Sequence, residues 1–278
     1  MGPVMLAAGA TAAAAFLIAR ALAPAVHALL QRGGMVRRNY RGEEVAVGIG
    51  IVVPLAALAP WTGLLVAGFP VEAVAAAVSL ATGMALLGFF DDALGDRTAS
   101  GFRGHLGALL AGRPTTGSLK AVFGGLLALF GGLALHGLSW KALLAAALIA
   151  GAANGVNLLD VRPGRALKAF VFLWIIAGLA AGISGGPAAV RVLAAAAAPL
   201  GGALALWRGD HKGRWMLGDA GANALGASAG LALALSPLPW QIPLLAALTA
   251  LHLYSERASL SKLIDAVPLL SRLDRWGR

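Results

Sequence analysis

Two adjacent carboxylates, Asp91 and Asp92, close an apolar run at Gly88-Phe89-Phe90-Asp91-Asp92. Neighbouring acids repel unless a proton or cation lies between them, and acids at a helix C-terminus oppose the helix dipole. The pair suits a divalent-metal or phosphate-activation site in which one carboxylate acts as a base; the alternative is a helix end with solvated acids. Asn154, Asn157 and Asp160 follow at intervals of three, so a helix carries them on one face. Oxygen-bearing side chains in the last turns of an apolar segment need partners. They suit Mg2+ or Mn2+ and a substrate's phosphates, or else hydrogen bonds between helices. Gly218-Asp219-Ala220-Gly221 opens a later apolar run. An acid is comfortable at a helix start, which makes capping the alternative there, but flanking glycines permit close backbone approach to a ligand.

Basic residues lie between these clusters. Lys120 ends the stretch Thr115-Thr116-Gly117-Ser118-Leu119-Lys120, which lacks the glycine spacing of a P-loop but could hold a phosphate at a helix N-terminus. Arg103, His105, Arg162, Arg165, His211, Lys212 and Arg214 are further candidates for diphosphate oxygens, with solvated loop charge as the competing reading. His136 and His252 read as isolated interface residues. The chain has no cysteine, which excludes disulfides and thiolate metal sites.

The elements that must position these residues are membrane helices. Hydrophobic residues make up 59% of the chain and charged residues 12%, against roughly 45–50% and 25% in a soluble domain. A span needs about 20 apolar residues, and nine runs qualify: 3–31, 44–66, 71–90, 118–136, 141–159, 167–184, 189–207, 218–235 and 239–254. The expected fold is all-α, a single integral-membrane domain over 1–278. Glycine pairs such as Gly124-Gly125 and Gly201-Gly202 fit close helix packing in lipid. The tail 258–277 places Leu260, Leu263, Ile264, Val267, Leu270 and Leu273 on one side, the pattern of an interfacial amphipathic segment.

Charge placement sets the topology. Of 22 Lys and Arg, 19 fall in five segments, 32–41, 97–120, 162–168, 208–214 and 257–278, which alternate with loops that are nearly free of basic residues. The positive-inside rule then puts the N-terminus outside and the C-terminus in the cytoplasm. Cytoplasmic segments are expected at about 32–43, 91–117, 160–166, 208–217 and 255–278. The net charge of +10 is therefore a topology signal, with anionic lipid as its partner and not nucleic acid.

The ordered set of motifs resembles the polyprenyl-phosphate N-acetylhexosamine-1-phosphate transferase superfamily. That family includes phospho-N-acetylmuramoyl-pentapeptide transferase and the N-acetylglucosamine-1-phosphate transferases that start envelope glycans and N-glycans. Gly88 to Asp92 is similar to its Gly-Phe-x-Asp-Asp element, and Lys120 to the lysine before its fourth span. Asn154, Asn157 and Asp160 fit Asn-x-x-Asn-x-x-Asp, and Gly218 to Gly221 fits Gly-Asp-x-Gly. Arg38 through Gly50 resembles the first cytoplasmic loop and its re-entry.

The resemblance implies transfer of a sugar-1-phosphate from a nucleotide-sugar, UDP-linked in the expected case, to a polyprenyl phosphate for envelope glycan synthesis. It implies Mg2+ or Mn2+ held by Asp219 with Asp160 and Asp92, and catalysis by Asp91, Asp92 and Asp160. Diphosphate contacts are implied for Lys120 and Asn157, and Asn154 is expected beside them; Arg162, Arg165 and His105 are substrate-contact candidates through their charge and not through the resemblance. The implied setting is the cytoplasmic face of the plasma membrane, with a homodimer left open.

The chain also departs from the family pattern. After Asp160 the family continues Gly-x-Asp-Gly-Leu, whereas Val161-Arg162-Pro163-Gly164-Arg165 stands here. Ser255-Glu256-Arg257 occupies the place of the histidine-rich element after the ninth span, and nine spans compare with the ten or eleven of many members. A paralogue that binds polyprenyl phosphate or metal without transfer is the alternative, and an ion-coupled transporter a more distant one.

Overall fold

The computed structural model describes residues 2–95, 101–184 and 186–277; the side chains of 2–4, 101–103, 105–106, 181–184 and 187–190 are outside that description. The chain forms α1 (Gly2–Arg32), β1 (Val36–Arg38), β2 (Glu44–Val47), a 3-10 turn at Ile49–Ile51, α2 (Val52–Val66) and α3 (Val71–Leu94). Then come α4 (Gly101–Leu110), α5 (Thr116–His136), α6 (Trp140–Leu159), α7 (Arg165–Ser184) and α8 (Pro187–His211). Last are β3 (Trp215–Met216), α9 (Gly218–Leu233), α10 (Leu238–Ser255), α11 (Leu260–Ala266) and α12 (Pro268–Arg275).

Among the described residues six helices are long and apolar enough to cross a bilayer: Met5–Arg32, Ile49–Val66, Val71–Leu94, Thr116–His136, Trp140–Leu159 and Arg191–His211. The molecule is thus a helical bundle of membrane type. Its outer surface agrees, because α5 turns Val122, Phe123, Leu126 and Phe130 outward while the polar side chains described below converge inside.

α9 is the axis of the bundle. Its Gly/Ala/Leu sequence is apolar all round, the composition of a helix enclosed by others, and it packs against α3, α6, α7 and α8. At 16 residues it is about 24 Å long, short for a bilayer core of about 30 Å. Gly226 and Gly230 lie where any side chain would overlap the α6 backbone around Ile149, Ala152 and Ala153. Small residues spaced four apart let two membrane helices approach this closely.

Two departures from the expected boundaries matter for the site. The run 44–66 is not one helix: Gly48 adopts φ +86°, and Glu44–Val47 before it forms a strand. This strand pairs antiparallel with β1 and parallel with β3, with Ala46 opposite Trp215 and Val47 opposite Met216. The small sheet staples the 33–50 loop to the approach of α9, and Gly50 N–H adds a bond to Leu217 O at 3.0 Å. The run expected to end at 90 continues to Leu94, so Asp91 and Asp92 belong to the last turn of α3, and α4 occupies part of the segment after it.

Candidate functional site

Four helices bring their polar ends together. Asp91 and Asp92 come from the end of α3, Lys120 from the start of α5, Asn157 from the end of α6 and Asp219 from the start of α9. Alternating chain direction puts these helix ends at the same side of the bundle. Lys120 is set on the first turn of α5 by a capping box: Thr115 accepts from Ser118 N–H while Ser118 accepts from Thr115 N–H. Two orphan donors are thereby satisfied at the point where the helix must begin.

Glycine makes the approach of α3 and α9 possible. A methyl at Gly88 would overlap the backbone of Asp219 and Ala220. Gly218 has φ +73°, a conformation that L side chains avoid, and sits against the Asp92 carboxylate and Gly48 N.

The two neighbouring acids of α3 then do different things. Asp92 is buried and turns toward α9, accepting Asp219 N–H with Oδ1 and Ala220 N–H with Oδ2, both at 3.0 Å. Asp160 accepts from the preceding amide, that of Gly218. The first amides of α9, which have no partner within the helix, are therefore held by carboxylates from the ends of α3 and α6. The charge of Asp92 opposes the dipole of its own helix but complements that of α9. Arg37 completes the corner by donating to Asp92 O at 2.9 Å.

Asp91 faces the other way. Lys120 Nζ lies 2.9 Å from Asp91 Oδ2 and 2.5 Å from Asp219 Oδ2, and Asn157 Nδ2 donates to the same Asp219 oxygen at 3.1 Å. Thr116 also reaches Asp91. These side chains remain about one-fifth to one-quarter exposed, so they form a floor open to solvent.

The donor chemistry fits a magnesium ion. The Lys120 ammonium marks a point on which carboxylate oxygens from α3 and α9 converge, and Mg2+ is commonly bound by one or two carboxylates with substrate phosphates and waters supplying the rest. Of the three acids expected around a metal, Asp219 faces Asp91 across Lys120, while Asp92 and Asp160 accept from amides at the start of α9.

Asp160 borders a second feature. It lines a small cleft of about 30 Å³, open to solvent, together with Asn39, Tyr40, Arg162, Asp210 and Trp215. Burial is the main reason that the Asp160 carboxyl is held well above the ordinary aspartate range; the carboxylates of Asp210, Asp219 and Asp92 add to it, and the Gly218 amide works against it. Asp210 is a site residue that the motifs did not point to. It is buried and accepts Gly164 N–H at 2.7 Å, which shapes the turn after Asp160. An acid at the end of the apolar α8 was the available signal.

The raised pKa of Asp160 has a calculable consequence. The folded state holds this proton more tightly than the unfolded state, so between the ordinary aspartate value and the raised one stability falls as pH rises. The loss is about 1.4 kcal/mol for each pH unit between the two values. Asp160→Asn is expected to flatten this dependence, so that in EDTA the melting temperature of the parent protein falls more than that of the variant from about pH 4 to about pH 8. Parallel curves for the two proteins would contradict the placement of Asp160.

Other expected residues lie apart from this floor. Asn154 is exposed, one turn before Asn157. Arg162 pairs with Asp265 at 3.4 Å. Arg165 is buried and bidentate to Asp274, with both bonds at 2.9 Å, and its third donor meets Ser261. Its guanidinium is thereby committed to the C-terminal segment and not to the floor. The side chains of Arg103 and His105 lie outside the described residues. No known family model and no curated protein matches the chain.

Proposed function

We propose that this protein transfers a sugar-1-phosphate from a nucleotide-sugar to a polyprenyl phosphate, with magnesium, at the cytoplasmic face of the plasma membrane. The proposed topology has nine spans, the N-terminus outside and the C-terminus in the cytoplasm, as the distribution of basic residues favours. The observation that carries the reading is the meeting of Asp91, Lys120, Asn157 and Asp219 from four helices at one end of an apolar bundle. Acids inside a membrane protein mark function by default, and here they sit at helix ends, where a lipid headgroup and a soluble donor can both arrive. Transporters concentrate such groups near the bilayer midplane.

In this reaction a lipid phosphate oxygen attacks the β-phosphorus of the donor, and the bond from that phosphorus to the bridging oxygen breaks. The nucleoside monophosphate leaves with that oxygen, and the sugar phosphate becomes a polyprenyl diphosphate. Asp91, beside Lys120, orients the incoming lipid phosphate and accepts its proton if it arrives protonated. Lys120 exchanges its carboxylate partners for diphosphate oxygens, and Asn157 donates to the same group. Asp219 and Asp91 would hold the magnesium, which when bound neutralises charge on the transferring diphosphate. Positioning and electrostatics supply most of the catalysis in phosphoryl transfer. The donor's nucleotide would lie over the shallow cleft beside Asp160, where Tyr40 and Trp215 are among the lining residues.

The test is incubation of the purified protein with magnesium, polyprenyl phosphate and a panel of nucleotide-sugars, following nucleoside monophosphate release and lipid mass. Release with one donor establishes the transferase and names its sugar. One observation favours the second reading, a protein that binds lipid phosphate without transfer: the segment 161–165 carries arginines tied to the C-terminal helices in place of the family's second acid. Retention of polyprenyl phosphate with no release from any donor decides for that reading.

A further inference from the structure

The C-terminal segment is built with its polarity reversed relative to a soluble amphipathic helix. In α12, Ser271 and Asp274 face the protein and are buried, while Leu269, Leu270, Leu273 and Trp276 on and just after it point outward. The inward face makes polar contacts to the turn that follows Asp160 and the start of α7, beside an edge-on contact of Trp276 with Trp207. Arg165 forms its bidentate pair with Asp274, and Lys168 Nζ donates to Leu273 O at 2.9 Å and Asp274 O at 2.8 Å. From α11, Asp265 meets Arg162 and Ser261 meets Arg165.

This arrangement also sorts charge. Both acids of the two helices, Asp265 and Asp274, pair with arginines of the 160–168 region, whereas Arg257, Lys262, Arg272 and Arg275 are exposed. The outward side is therefore apolar and cationic together, beside the ends of α6 and α7 at the level where the bundle leaves the bilayer. A helix with an apolar face and exposed basic residues lies in a membrane interface, and anionic lipid strengthens its hold.

We propose that α11 and α12 form a strap seated in the headgroup region of an anionic bilayer, which through Arg165 and Asp274 fixes the turn carrying Asp160. Arg165 is in this account a positioning residue. The strap is independent of the chemistry at Asp219, and its test needs no turnover.

The absence of cysteine permits single-site spin labelling of the full chain in vesicles of phosphatidylglycerol and phosphatidylcholine. A nitroxide at Leu269→Cys is expected to be relaxed several-fold more by oxygen than by a water-soluble nickel complex, as for a lipid-inserted site. A label there that meets the nickel complex as freely as an aqueous one overturns the membrane seat and points to a protein partner or plain solvent. A second label at Val161→Cys, an exposed position next to Asp160, reads the coupling. Its motion is expected to increase when Asp274→Asn is added, and to return toward the parent value when Arg165 is also replaced by glutamine, which pairs with asparagine. Unchanged motion at 161 in Asp274→Asn overturns the strap, whatever the label at 269 reports.

Discussion

Asp219→Asn is expected to lower nucleoside monophosphate release by about two to three orders of magnitude while leaving the bundle folded. The two halves of that expectation come from different atoms. The Asp219 side chain serves Lys120 and Asn157 through Oδ2, whereas the fold uses its backbone: the N–H goes to Asp92 and the carbonyl accepts from Asn223 at 2.7 Å. An asparagine preserves both backbone bonds and the side-chain volume. It removes the charge that would face the magnesium and the transferring diphosphate. Lys120 keeps Asp91 as a partner, so no ammonium is left buried and alone. Thermal unfolding and donor turnover measured on one preparation separate these halves. Parent-like turnover in the variant would remove Asp219 from the mechanism and the transferase reading with it.

The positions that the sequence made legible are those whose signal is local. The nine apolar runs fall on α1, α2, α3 and α5 to α10, and six described helices are long and apolar enough to cross a bilayer, a length that leaves a long signature. The clusters at 88–92, 154–160 and 218–221 announced themselves by the rarity of acids and amides in such runs. What escaped was set by tertiary approach. That Asp92 serves the amides of Asp219 and Ala220, 127 and 128 residues away, depends on Gly88 letting α3 close on α9. One clue was present: an acid pair opposing its own helix dipole needs a compensating partner, which the N-terminus of α9 supplies. The strands at 36–38, 44–47 and 215–216 are too short to show alternation against an apolar background. The pairing of Arg165 with Asp274 is invisible in the sequence because the two lie 109 residues apart and the segment around Asp274 has no motif of its own.

The adjacent acids of α3 should separate cleanly under mutation. Asp92→Ala strips partners from two amides of α9 at a buried position, and each unsatisfied buried amide costs about 1–3 kcal/mol. A total of about 2–6 kcal/mol is a large share of the roughly 5–15 kcal/mol that holds a typical protein folded, so a marked fall in melting temperature is expected. Asp92→Asn retains one acceptor oxygen but turns an amide nitrogen toward the other N–H, and falls between the parent and Asp92→Ala. Asp91→Asn touches no amide of α9; the Asp91 side chain meets the Asp219 side chain, Lys120, which keeps Asp219, and Thr116, and an asparagine can still hydrogen-bond to each. Its melting temperature should stay near that of the parent while turnover drops by about two to four orders of magnitude, the range for loss of a general base. The reverse pattern, with Asp91 variants unfolding and Asp92→Ala stable but inactive, would exchange the two roles. Two carboxylates one residue apart would then still divide the work, but with the catalytic one buried against α9, where neither lipid phosphate nor donor has room to reach it.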